Sequence, residues 1–340
     1  MKIKFIIILL FLPGYLFSQS SILSTGDWIK IGVTKSGIYK LDKNFFQDNN
    51  VEYNLINPST IQIFGSGYNG LLPQKNNLST LFSPKQLKIS FYGNNNDVFE
   101  DNEFVYFYAQ SSDKLVYDTL NNKMQYDNNI YTDSSFFLLT YNQSPGNRVD
   151  EIDNGINYDS LSDEVFHFSY FEEDTYSIIQ SGRDWFGSVY SPNEIKSFDI
   201  LNYVPYSDLN IELQFLSRSL SDSKFSISIN DEFIDDIELQ KITEGVYGNK
   251  GLLTSKNLHY KVGGNNPSKM QISYSGSNSS LAYLDYFTMS GKIKLFYQND
   301  QLKYFTRPST LKNFVKFKIE SNGEVSIWNV TDLYNIHSYK

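Results

Sequence analysis

The 340-residue chain contains no cysteine. That excludes disulfide staples, thiolate metal centres, a thiol nucleophile and lipid attachment at a cysteine behind a leader. Histidine is nearly as scarce: His167, His259 and His337 stand far apart, with no metal-ligand spacing between them. Positive charge is in the minority, with 29 Lys and Arg against 38 Asp and Glu, a net charge of −9 and a pI near 4.9. No basic stripe is present, which argues against a nucleic-acid partner and against electrostatic docking on anionic lipid. Beyond Phe17 no stretch approaches the roughly 18 uncharged apolar residues of a membrane-spanning helix. Heptads, internal repeats and long helical periodicity are lacking as well.

What is present begins with a leader. Met1 to Lys4 is a basic start, Phe5 to Phe17 is apolar apart from Pro13-Gly14, and Ser18, Gln19 and Ser20 follow. This is the anatomy of a secretory signal peptide over residues 1–19, so the chain is expected to be exported. The remainder is long enough for two domains that bury their own cores.

Strand signals dominate that remainder. From Trp28 to Thr34, Ile29, Ile31 and Val33 alternate onto one face; Lys35-Ser36-Gly37 offers turn chemistry and Ile38 to Leu41 returns. The stretch reads as a β-hairpin opening the mature chain. Further strands are expected at 60–65, 86–92, 104–110 and 136–141, and, later, at 196–200, 209–215, 225–230, 236–240, 258–262, 269–274, 281–289 and 315–319. Residues 121–129 read as a loop, and Asp42 reads as the cap of a short helix over Lys43 to Gln47. The expectation is a mainly β protein of two β-rich domains, 20–155 and 156–340, the second a jelly-roll-like sandwich. The 26 Tyr and 26 Phe suit strands, where aromatic rings pack on a pleated, half-buried surface. They also leave open a second reading, a secreted carbohydrate-binding sandwich.

Candidate chemistry is thin. Gly65-Ser66-Gly67-Tyr68-Asn69-Gly70 spells a dinucleotide fingerprint after a strand, but Leu71-Leu72-Pro73 follows where a helix is required, so it reads as a glycine-rich turn. Asn94 to Glu103 gathers oxygen ligands that could wrap calcium, yet lacks the usual turn glycine at Val98 and reads as a solvated acidic turn. In Glu172-Glu173-Asp174 neighbouring acids of a strand point to opposite faces, which does not suit a paired-carboxylate hydrolase. His167, between Phe166 and Phe168, is expected on the outer face of a strand. In Ser181-Gly182-Arg183-Asp184-Trp185-Phe186-Gly187 two glycines bracket a guanidinium and a large aromatic. It reads either as an internal Arg–carboxylate latch or as a contact surface. No residue is assigned a catalytic, cofactor-binding or metal role.

Several stretches, in order, resemble the PorU-like, gingipain-type sortases of the Bacteroidetes type IX secretion system. They are Gly26 to Leu41, Asn57 to Gly65 with Leu71-Leu72-Pro73, Phe104 to Gln110, Asn129 to Asp133, Phe137 to Thr140, Pro145 to Arg148, Ser181 to Gly187, Leu284 to Tyr286 and Ile327 to Asp332. The resemblance implies the non-catalytic N-terminal region of a sortase. In that family a following cysteine-peptidase domain removes the C-terminal signals of cargo and joins the cargo to the cell surface. None of the family's catalytic residues maps onto this chain. The chain's close on a strand and turn near Lys340 fits an expectation of further sequence beyond it. The implied partners are that peptidase domain, outer-membrane attachment-complex proteins and type IX cargo, and the implied location is the outer membrane or cell surface. No activity is expected of this chain alone.

Overall fold

The computed structural model describes residues 21–65, 84–94, 96–118, 123–152, 160–180, 184–200, 204–205, 207–245, 248–262, 267–297, 301–305 and 315–339. The expected leader, most of the glycine-rich stretch after Gly65 and Ser181 to Arg183 lie outside them. Up to Thr140 the strands are β1 (Ile29–Val33), β2 (Gly37–Asp42), β3 (Gln62–Gly65), β4 (Lys85–Gln86), β5 (Ser90–Tyr92), β6 (Phe104–Ala109), β7 (Lys114–Asp118), β8 (Lys123–Asp127) and β9 (Ser135–Thr140). One sheet runs β1-β9-β3-β4 and another β2-β6-β5. Together they enclose a core of Val33, Leu41, Ile63, Val105, Phe107, Phe137 and Leu139. Helix α1 (Lys43–Asp48) starts where expected, because the Asp42 carboxylate accepts the backbone N–H groups of Asn44 and Phe45, and it drives Phe46 into this core.

The opening stretch is not a hairpin. β1 pairs antiparallel with β9, Ile29 opposite Leu139 and Val33 opposite Ser135. β2 pairs instead with β6, Gly37 opposite Ala109 and Asp42 opposite Phe104. Lys35-Ser36 therefore turns a corner from one sheet to the other. The corner is held by Ser36, whose Oγ accepts the Ser111 backbone N–H at 2.8 Å. The same turn chemistry serves a hairpin or a corner, so the local sequence does not decide which partner each strand takes. The expected loop at 121–129 is also corrected, since most of it is strand β8, which pairs antiparallel with β7.

The second half continues with β10 (Asp150–Ile152), β11 (Ser160–Ser162), β12 (Glu164–Glu172), β13 (Val189–Tyr190), β14 (Ile195–Asp199), β15 (Leu209–Arg218), β16 (Lys224–Ile229), β17 (Glu232–Glu238), β18 (Leu252–Tyr260), β19 (Lys269–Ser275) and β20 (Leu281–Lys294). Here β12-β20-β15-β18, with β13 beside β20, packs against β14-β19-β16-β17. Alternate residues of the long strands meet between the sheets: Leu209, Ile211, Leu213 and Phe215 from β15, and Phe225, Ile227 and Ile229 from β16. β16 and β17 are joined by Asn230-Asp231, both at positive φ, as a two-residue hairpin turn requires. The protein is mainly β and built of sandwiches, as the alternation predicts.

The chain closes with β21 (Phe296–Tyr297), β22 (Val315–Phe317), β23 (Glu320–Ser321), β24 (Ile327–Asn329) and β25 (His337–Tyr339). β25 lies between β10 and β24. Leu333 and Ile336 are buried in the first core, and Trp328, Val330 and Tyr334 pack against it. The end of the described chain thus returns to the beginning, and Lys88 fastens it by reaching both Asp150 and Asn335.

Candidate functional site

A cleft of about 1000 Å³ separates the two sandwiches. One wall carries Ser36, Tyr108 and Asp113 with the β8 residue Tyr126; the other carries Phe168, Tyr170 and Glu172 of β12, with Trp185. The β12 wall follows from alternation. Val165 and Phe171 turn to apolar clusters, so Tyr170 and Glu172 turn to the cleft.

Next to β12, β20 adds a feature that alternation cannot supply. The register between β15 and β20 shifts at Gln214/Phe215: Gln214 faces Tyr286 and Phe215 faces Leu284, leaving Asp285 as an extra residue. This β-bulge turns Asp285 and Tyr286 to the same side, while Leu284 and Phe287 both remain in the core. Tyr286 stacks on Tyr170 with ring centres 5.6 Å apart, and Tyr126 stacks on Tyr170 at 3.5 Å. Three tyrosines from both sandwiches thus form one stack.

Carboxylates edge the stack. Tyr170 donates its hydroxyl to Glu172, Tyr126 donates to Asp113 at 2.5 Å, and Tyr286 donates to Glu212 at 3.2 Å. Asn128 Nδ2 reaches across the cleft to Asp174 at 2.9 Å. Burial, then the charges of Asp174 and Asp113, pushes the Glu172 carboxyl up to about 7 against the pull of its hydrogen bonds from Tyr170 and Asn128. Burial, then the charges of Glu172, Asp174 and Asp184, pushes Asp285 up to about 7 too. The hydroxyls of Tyr126, Tyr170 and Tyr286 are all raised, first by burial and then by these carboxylates.

This arrangement binds the protein to itself. The ring faces of Tyr126, Tyr170 and Tyr286 lie against one another, and the acids around them receive protein donors. Among the described residues no group of three or more His, Cys, Asp and Glu is placed to hold a metal ion.

The residues singled out in the sequence scatter. Glu172, Glu173 and Asp174 all line the cleft, and Glu173 accepts from the Ser188 hydroxyl at 3.0 Å. His167 is not on an outer face: it is buried, with Nδ1 facing the Lys303 carbonyl at 3.1 Å. Beside it Phe166 pairs with Phe305 through an antiparallel backbone bridge, on the edge of β12 away from β20. His259 lies between Asn210 and Asp208, and His337 near Asp150. Arg183 lies outside the described residues, but its neighbour Trp185 is at the cleft mouth and is 44% exposed. Tyr126, Tyr170 and Asn128 escaped notice because no local motif marks them. The alternation of Tyr170, Glu172 and Asp174 was the signal available.

The oxygen-rich loop at 94–103 folds on itself. Glu103, only 3% exposed, accepts the backbone N–H groups of Asn94 at 2.5 Å and Glu100 at 2.8 Å. Glu100 takes both Asn94 and Asn96 amides, Asp97 takes Asn57, and Asp101 takes Lys43 and Tyr53. The carboxylates that calcium would need are therefore occupied by protein donors. Glu103→Ala is expected to cost about 2–4 kcal/mol, because it strips a charged acceptor from two backbone donors. Glu103→Gln, which keeps one acceptor oxygen, should cost less; chemical denaturation of both variants checks the ranking.

No protein-family model matches the chain, and no curated protein matches it in sequence. Among solved structures, the dimeric latent PorU of Porphyromonas gingivalis is similar with a TM-score of 0.71 and 20% identity, over 94% of this chain and 30% of that one. The C-terminal carbohydrate-binding module of LamC from Zobellia galactanivorans covers 37% of this chain and 97% of its own, at 10% identity and a TM-score of 0.23. A β-porphyranase from Bacteroides plebeius covers 79% and 35%, at 9% identity and a TM-score of 0.24. These last two scores are too low to carry a carbohydrate reading. The chain spans less than a third of the PorU chain it matches, and over that span it has the PorU fold.

Proposed function

We propose that this chain is a non-catalytic structural and interaction region of a type IX secretion sortase. The observation that carries the reading is the similarity to the PorU fold over 94% of the chain. The aromatic and acidic residues of the cleft, spent on internal contacts, suit a scaffold better than a reaction centre. Among the described residues no helix is long and apolar enough to cross a membrane. With the leader-like residues 1–19, the reading places the protein at the outer membrane or cell surface, beside attachment-complex proteins and in the path of cargo. It also supplies a peptidase domain as the partner in cis.

The test is genetic. Deleting the coding region for residues 20–340 in the native bacterium should leave secreted cargo with its C-terminal signals uncleaved, seen as heavier intact masses in mass spectra of the cell-surface fraction. Cargo trimmed as in the parent strain would overturn the proposal.

A further inference from the structure

β2 stands at the edge of its sheet, with β6 on one side only. An edge strand leaves outward backbone N–H and C=O groups without a ladder partner. At Ile38 both are taken by one side chain from far along the sequence. Gln301 Oε1 accepts the Ile38 N–H at 2.6 Å, and Gln301 Nε2 donates to the Ile38 carbonyl at 2.6 Å. A primary amide offers the donor and acceptor of a peptide unit, so the two bonds reproduce those of a neighbouring strand. Gly37 leaves room for it, since a Cβ there would lie 2.9 Å from Gln301 Oε1.

The residues after Gln301 belong to the second sandwich. Leu302 and Tyr304 pack with Val165, Ile293 and Leu295. The Lys303 carbonyl accepts from His167 Nδ1 at 3.1 Å, and the Phe305 N–H donates to the Phe166 carbonyl at 2.8 Å. β12, like β2, is the end strand of its sheet. Five consecutive residues thus lie on the free edges of both sandwiches.

We propose that residues 301–305 form a releasable strap that fixes the orientation of the two sandwiches about the cleft. Its two ends differ in strength. The end on β12 combines hydrogen bonds with apolar packing on a buried cluster. The end on β2 is one exposed amide, and an exposed hydrogen bond contributes little because water replaces it at small cost. Gln301 contributes to neither main core, so this contact can part while both sandwiches stay folded. With it parted, the hold across the cleft rests more heavily on the Tyr126–Tyr170 stack and the Asn128–Asp174 bond, and the angle between the sandwiches widens its range. The inference concerns the chain's own geometry and is independent of the sortase reading.

The absence of cysteine makes the test clean, because spin labels attach only where cysteines are introduced. Gln47→Cys on α1 and Ser255→Cys on β18 are exposed sites on the two sandwiches. Pulsed electron–electron double resonance on the full chain should give one narrow distance distribution. Gln301→Ala should broaden it and add a second component. Gln301→Glu, of nearly the same size, keeps an acceptor for the Ile38 N–H but sets a carboxylate oxygen against the Ile38 carbonyl, and should broaden it too. Gly37→Ala attacks the same contact from the other side by pushing the amide away, and should act likewise. Far-ultraviolet circular dichroism and urea unfolding of each variant report whether the sandwiches remain folded. A distribution unchanged in both Gln301 variants, or one that broadens only together with a loss of folded signal, would overturn the strap.

Discussion

Arg148→Ala is expected to destabilise the protein by about 3–5 kcal/mol, although among the described residues Arg148 pairs with no carboxylate. Its guanidinium is half-buried and directed wholly at carbonyl oxygens. Nη2 donates to Pro58 at 2.7 Å and Ser59 at 2.9 Å, and Nη1 donates to Ile61 and Asn147, each at 3.2 Å. The fork thereby pins the 3-10 turn Pro58–Thr60 to the strand that leaves β9. Gly146 and Asn142 complete the knot. Gly146 N–H donates to the Ser59 carbonyl at 2.9 Å, and a side chain there would strike the Ile61 carbonyl. Asn142 accepts from Asn57 N–H through Oδ1 and donates through Nδ2 to Leu55. Removing the fork takes four charge-assisted hydrogen bonds at once; Pro58, Ser59 and Asn147 keep backbone donors from Ile61, Gly146 and Ile89, so the Ile61 carbonyl and the tie between the two segments bear most of the loss. Burial lowers the Arg148 pKa, because the guanidinium is held partly out of water. Arg148→Lys, with one compact ammonium in place of a planar fork, should recover only part of the loss. Urea unfolding of the three proteins checks this; an alanine variant within about 1 kcal/mol of the parent would show the knot to be ornamental.

That knot explains why the ordered motifs are legible while the cleft is not. Asn57 to Gly65 and Pro145 to Arg148, far apart in sequence, are two sides of one contact. Leu284 and Gly187 likewise meet, since Gly187 N–H donates to the Leu284 carbonyl at 3.0 Å. Such stretches carry special backbone geometry, which only certain residues satisfy, so they stand out in a sequence. The Asp42 cap and the Phe104 to Ala109 strand were readable for a related reason, because their signals are local. Pairing is not local. Nothing within Trp28 to Leu41 says that β1 will choose β9 and β2 will choose β6. Nothing within Lys114 to Asp127 marks a hairpin, because its polar residues alternate with only Leu115, Met124 and their neighbours. The bulge at Asp285 depends on a register with β15 that the sequence of β20 does not contain. The cleft is assembled from just these non-local choices, so neither Glu172 nor Asp285 announced a shared environment.

Gly187→Ala is expected to be nearly as damaging, at about 2–4 kcal/mol, for a steric reason. A Cβ at this position would lie 2.6 Å from both the Cβ and the carbonyl oxygen of Glu173. The carbonyl belongs to backbone that cannot swing aside: the neighbouring Thr175 and Tyr176 N–H groups both bond to the Phe186 carbonyl, and Phe186 N–H returns to Tyr176. On the other side Gly187 is tied to Leu284, and Ser188, at a φ of 22°, accepts the Leu284 N–H at 3.2 Å. The glycine is therefore clamped between the end of β12 and the start of the β20 bulge. Any relief must push Glu172 and Asp285 apart or force the bulge to slip. The loss of stability should consequently come with a change at the cleft. The near-ultraviolet circular dichroism of the Tyr126–Tyr170–Tyr286 stack should weaken in Gly187→Ala under conditions where far-ultraviolet dichroism shows the strands intact. In Arg148→Ala, whose knot shares no residue with the cleft lining, the stack signal should persist until global unfolding. Equal loss of the tyrosine signal in both variants would mean that the two knots do not act on separate parts of the molecule.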